Sequence, residues 1–105
     1  MSDALDDVLG ALADPTRRSL YQRLAVQGPN TATNLARGLP VTRQAIVKHL
    51  QVLAGAGLVD ATRAGREVRY AVEPDALDEA AAWMTSAAAG WDRRLARLRR
   101  HVERR

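Results

Sequence analysis

Helix breakers recur at short intervals through most of this chain, and their spacing decides what it can fold into. Asp14-Pro15, Gly28-Pro29, Gly38, Pro40, Gly57, Gly65 and Pro74 cut the first 74 positions into small pieces, and no proline follows Pro74. Apolar periodicity then assigns the pieces. Leu5, Val8, Leu9 and Leu12 recur at steps of three and four, which predicts a short amphipathic helix over 3–13 with Asp3 as its cap. Asp14 can accept bonds from the free amides of a new helix, and Pro15, lacking an N–H and fixed in φ, suits its first position. Leu20, Tyr21 and Leu24 give that second helix its apolar face, with Arg17, Arg18 and Arg23 on the polar side, until Gly28-Pro29 ends it.

Thr31 precedes a short helix over 32–37 that buries Ala32, Leu35 and Ala36 and stops at Gly38. Leu39-Pro40-Val41 turns the chain, and Thr42 caps a helix from Arg43 to about Ala56 with Ile46, Leu50 and Leu53 on its inner face. Gly57 is the stop. Two strands, 58–63 and 67–72, flank Ala64-Gly65-Arg66, and the alternation of Val68, Tyr70 and Val72 with Glu67, Arg69 and Ala71 makes them a β-hairpin. Beyond Pro74-Asp75 the pattern changes. Leu77, Met84, Trp91 and Leu98 are seven apart, as are Ala81, Ala88, Leu95 and Val102. This is a heptad seam, with Gly90 as a candidate bend. The expected architecture is a single winged helix-turn-helix domain over 1–105, mainly α with a small β-hairpin. Its parts are end helices at 1–14 and 75–105, a helix-turn-helix at 31–56 and a wing at 58–72.

Composition excludes several function classes. The chain has no cysteine, so disulfides, thiolate-zinc sites and thiol redox sensing are absent. No stretch approaches the ~20 apolar residues of a membrane span, and Asp3, Asp6 and Asp7 are the opposite of a secretion signal. A cytoplasmic protein without membrane contact is expected, on the nucleoid when bound to DNA. The two histidines, His49 and His101, lie far apart in sequence, and Asp3, Asp6 and Asp7 lack the glycine and terminal glutamate of a calcium loop. Neither a metal nor a cofactor is expected. No nucleophile–base set or phosphate-cradling glycine loop is visible, so an enzyme is not expected either.

Charge position adds a positive statement. The net charge is +4. Residues 15–70 carry nine basic side chains against Asp60 and Glu67, and residues 93–105 carry seven arginines against Glu103. Residues 1–14 and 71–92 are acidic without a basic side chain. A clustered basic face suits a polyanion. On the helix after Thr42, the residues opposite the apolar face are Arg43, Gln44, Val47, Lys48 and Gln51. Arg43 and Lys48 can donate to guanine or to phosphate, Gln44 can pair with adenine, and Val47 can meet a thymine methyl. Arg63, Arg66 and Arg69 sit at or beside the hairpin tip, where a basic wing reaches a duplex backbone. Each feature has a plainer reading: an amphipathic helix with a solvated face, and charge that keeps edge strands from aggregating. A different function, a protein-interaction module whose basic wing meets an acidic partner, stays open. Trp83 and Trp91 can form a dimer core or a wall of a small-molecule pocket. The run from Arg93 to Arg105 can be a solvated helix flank or touch DNA or an acidic partner.

The segments Leu12-Ala13-Asp14-Pro15-Thr16-Arg17-Arg18, Val41 to Leu53, Ala56-Gly57-Leu58-Val59, Gly65-Arg66 and Tyr70, in this order and spacing, resemble the ArsR/SmtB family of winged-helix repressors over roughly residues 5–75. The tail with Trp83, Trp91, Arg94, Leu95 and Leu98 resembles a metal-independent, often autoregulatory branch. The resemblance implies a homodimer on double-stranded DNA, at a palindromic operator, with repression as the outcome. It implies DNA contacts by Thr42, Arg43, Gln44, Val47, Lys48 and His49, with the wing at Arg63, Arg66 and Arg69. It implies pairing of first and last helices, through Leu5, Val8, Leu9, Leu12, Met84, Trp91, Leu95 and Leu98. Position 47 often holds serine in the family, so Val47 forgoes a hydrogen bond there. The sensor cysteines are missing, and any effector would be an unidentified small molecule.

Overall fold

The computed structural model describes residues 3–103, so positions 1–2 and 104–105 of the expected domain lie outside the described residues. Five helices and three strands follow in the order α1 (Asp3–Ala13), α2 (Pro15–Gln27), β1 (Asn30–Thr31), α3 (Ala32–Ala36), α4 (Arg43–Gly55), β2 (Val59–Ala64), β3 (Glu67–Val72) and α5 (Asp78–Glu103). The first two helices meet at a corner built by three polar residues. Asp14 Oδ1 accepts from the Thr16 N–H at 2.8 Å and the Arg17 N–H at 3.1 Å, capping α2. An α-helix leaves its last four carbonyls without partners, and here α2 supplies them. Arg17 donates from Nε to the Ala11 carbonyl at 2.7 Å and from Nη2 to Gly10 at 3.3 Å. Arg18 Nη1 donates to Leu12 at 2.9 Å and Ala13 at 3.2 Å. Two guanidinium groups at the negative end of the α1 dipole are also electrostatically favourable. Further on, Arg23 Nη1 donates to the Leu35 carbonyl at 2.9 Å and so ties α2 to the end of α3.

The sheet is antiparallel, in the order β1-β3-β2. The expected hairpin is present, joined by a short strand that periodicity did not reveal: Asn30 lies opposite Tyr70 and Thr31 opposite Arg69. Strand β2 begins one residue later than expected. Leu58 is instead fully buried, with its N–H on the Leu53 carbonyl at 3.0 Å and its own carbonyl accepting from Glu73 at 2.9 Å. That leaves a two-residue turn, Gly65-Arg66, whose first position has φ +64°. This is the glycine-first pattern of a type II′ hairpin, whose twist suits the flanking strands.

The core gathers Leu20, Leu24, Leu35, Ile46, Leu50, Leu53 and Leu58, each at most 1% exposed, between α2, α3, α4 and the sheet. Burial of such a side chain stabilises by about 1.5–3 kcal/mol. Leu5 and Val8, expected at a dimer interface, are buried in this same core by their own chain; Leu9 and Leu12 pack half-buried at its edge. The last helix starts at Asp78, three residues later than expected. Pro74 opens a turn, with Ala76 N–H on the Glu73 carbonyl and Asp78 N–H on that of Asp75, which tucks Ala76 and Leu77 against the core. From there α5 continues unbroken through Gly90, 26 residues long, or about 39 Å at 1.5 Å per residue. Ala80 is its buried residue, and the described chain measures 70 Å along its longest axis. Among the described residues no helix is long and apolar enough to cross a membrane. The architecture is a winged helix-turn-helix, mainly α with a small sheet.

Candidate nucleic-acid interface

Local sequence places the presenting helix. Thr42 is extended, and its Oγ1 accepts from the Ala45 N–H at 3.1 Å, so α4 starts at Arg43. Ile46, Leu50 and Leu53 anchor one side in the core. Three different faces remain. Arg43, Val47 and Gln51, four apart, line up along one flank and look into a groove of about 520 Å³. Gln44 and Lys48 lie on the exposed crest. His49 is half-buried on the far flank, near enough to Asp14 to act on its charge. The Asp14 carboxyl is held below its ordinary value of 3.8, chiefly by the Arg17 backbone N–H; desolvation opposes this, and the Thr16 N–H, the Arg17 guanidinium and His49 assist.

The wing closes the groove from the other side. Antiparallel pairing sets Arg63 opposite Val68 and Ala61 opposite Tyr70, so these share one face, and Tyr70 is buried on it. Arg63 therefore points inward along the groove, with Arg66 at the turn. Arg69 does not join them. It pairs with Thr62 on the opposite face, and its Nη2 lies 3.5 Å from Glu67 Oε2. The three wing arginines of the sequence thus divide into two at the groove and one behind it. Several groove residues are absent from the sequence-derived contacts, Gln51, Thr33 and Arg37 among them. The spacing of four from Val47 puts Gln51 on the outer face of the helix but assigns it no contact, while Thr33 and Arg37 carry no pattern that singles them out. The Arg43 Nε donates to Thr33 Oγ1 at 3.2 Å, which joins α3 to α4 across the turn. Arg37, Arg43, Arg63 and Arg66 line this groove, and Glu67, whose carboxylate lies beside Arg69, borders it at the turn. Four cations beside a helix N-terminus suit phosphate, and the groove is open enough for a strand edge to enter.

A second surface lies along α5. Met84, Trp91, Leu95 and Leu98 are between 43% and 62% exposed and Trp83 is 42% exposed, so from Met84 onward the heptad stripe is left uncovered by its own chain. Arg93, Arg94, Arg97, Arg99 and Arg100 flank its distal half.

Comparison with known proteins gives this arrangement relatives. Residues 12–61 match a helix-turn-helix domain family. The HTH-type transcriptional regulator Rv2034 of Mycobacterium tuberculosis is 48% identical over 67 residues, which is 64% of this chain and 62% of that protein. The chain thus spans about three fifths of the length of that curated relative. Among solved structures, an ArsR-like transcriptional regulator from Rhodococcus sp. RHA1 superposes with a TM-score of 0.76 at 41% identity, covering 90% of this chain and 89% of that one. A homodimeric winged helix-turn-helix DNA-binding domain from Mycobacterium bovis superposes with a TM-score of 0.66 at 26% identity, covering 83% and 80%. With the Rhodococcus similarity running through nearly the whole of both chains at 41% identity, the chain belongs to the ArsR family of transcriptional regulators.

Proposed function

We propose that this chain is a homodimeric, sequence-specific DNA-binding regulator that represses transcription, its own gene included, from a palindromic operator in the cytoplasm. The observation that carries the reading is the groove in which Arg43, Val47 and Gln51 of α4 meet Arg63 and Arg66 of the wing. In this reading α4 enters the major groove, Arg43, Gln44 and Val47 meet base edges, and Lys48 and the wing arginines hold phosphates. The capped start of α4 at Thr42 faces the backbone. His49, on the far flank, supports the helix against the α2 start, and Arg69 adds charge at a distance. Residues 31–56 present the helix, 58–72 form the wing, and the end helices join two copies.

The exposed stripe of α5 supports the pairing, with Met84, Trp91, Leu95 and Leu98 as its contacts and Leu9 and Leu12 beside it; the Mycobacterium bovis relative is itself homodimeric. Leu5 and Val8 act from beneath, by holding α1 in place. The test is a mobility shift on the DNA upstream of the chain's own reading frame, with sedimentation of the free protein. A retarded dimer complex that weakens steeply with salt is expected, since released counterions drive such binding. A monomer indifferent to that DNA and to a random duplex pool overturns the reading.

A further inference from the structure

Resting on that reading, we infer that Thr33 is a positioning residue for base recognition: its hydroxyl sets how Arg43 presents its guanidinium to the duplex. The two side chains belong to different helices, Thr33 to α3 and Arg43 to the first position of α4, and they meet on the groove side of the turn. Arg43 Nε donates to Thr33 Oγ1 at 3.2 Å. Guanidinium offers five N–H donors in a flat fork, and a guanine presents two acceptors, O6 and N7. Either edge of the fork can meet them: the side edge, which uses Nε and one Nη, or the end, which uses both Nη atoms. With Nε held by Thr33, the side edge is taken and the end edge is left to face the groove.

The bond also restricts a long side chain before the duplex arrives, so less freedom is lost on binding. Thr33 is itself suited to be a fixed post. Thr31, two residues earlier, caps α3 through its own hydroxyl on the Asn34 N–H at 3.2 Å. The capping task is therefore met without Thr33, whose hydroxyl is directed to Arg43.

The experiment selects duplexes from a pool randomised over two helical turns, using the full chain as wild type, Arg43→Ala, Arg43→Lys, Thr33→Val and Thr33→Ser. Wild type is expected to show a strong preference at the base that Arg43→Ala abolishes. Thr33→Val should weaken the preference at that base alone by roughly threefold to tenfold, the worth of one hydrogen bond. Its thermal midpoint and its affinity for a scrambled duplex should match wild type, and Thr33→Ser should restore the preference. In the Arg43→Lys background, Thr33→Val should change nothing, because the coupling partner is gone. A Thr33→Val profile identical to wild type overturns the inference while leaving the DNA-reading function standing. So does a uniform loss at every base with a lowered midpoint, which marks a purely structural threonine. A wild type without base preference, with Arg43→Ala equally silent, overturns both.

Discussion

The corner between α1 and α2 and the groove between α4 and the wing are both furnished with arginine, but their arginines face different partners. Arg17 and Arg18 put their N–H groups on the four closing carbonyls of α1, and Arg23 does the same for α3. Among the described residues, Arg63 and Arg66 sit around an open groove with no such carbonyl to hold, and Arg43 is held only through Nε. A basic residue count over 15–70 therefore overstates the charge offered to a ligand. Three of the nine are committed to helix ends, and Arg69 is shared with Glu67.

Four substitutions put the two sets of arginines to the test. Arg17→Ala should show the largest effect on folding, a loss of about 2 kcal/mol, because it strips charged hydrogen bonds from carbonyls at a half-buried joint. Chemical denaturation would measure it, and an unchanged midpoint would mean that water replaces the guanidinium freely. Arg66→Ala should do the reverse. Stability should stay within about 0.5 kcal/mol, while affinity falls for all duplexes alike and the salt slope drops by about 0.9 for each phosphate no longer neutralised. Titrations at several salt concentrations decide this. Arg69→Ala should lower affinity less than Arg66→Ala does; equal losses would move Arg69 to the duplex and break the division of the wing.

Asp14→Ala sharpens the corner through pH. Because the folded carboxyl titrates below 3.8, its stabilising effect is complete above that value and is lost as the pH falls through the folded value. The gap in thermal midpoint between wild type and Asp14→Ala should thus be level near neutrality and close in acid. A gap that widens in acid would reverse the sign and remove the cap from the account.

Much of this fold is legible from local chemistry. Asp14 and Thr42 are caps by residue type and by the runs they precede, and Gly65 marks a hairpin because the first position of its two-residue turn takes a positive φ. The unread parts have physical reasons. A strand of two residues, Asn30-Thr31, has no period to detect and exists only because β3 pairs with it. The bonds from Arg17 to carbonyls six and seven residues back depend on the angle between two helices, which no spacing rule encodes. The candidate site divides the same way. The outer face of α4 follows from helical geometry, but the separation of Arg63 from Arg69 depends on strand register. Leu5 and Val8 show the limit of an apolar stripe: periodicity says that a face is covered, without saying by which chain.

The long terminal helix touches its own body over little more than its first turn, through Ala80 and the preceding Leu77. On the proposed pairing, its distal turns, which stand off their own body, are steadied by a second copy, since most helical stability in proteins comes from tertiary packing. Dilution should then fray them, and trypsin should cut after Arg93, Arg94 and Arg97 at low copy number but spare them at high. A chain built so would be cleared when scarce and shielded when plentiful, which turns its abundance into a threshold.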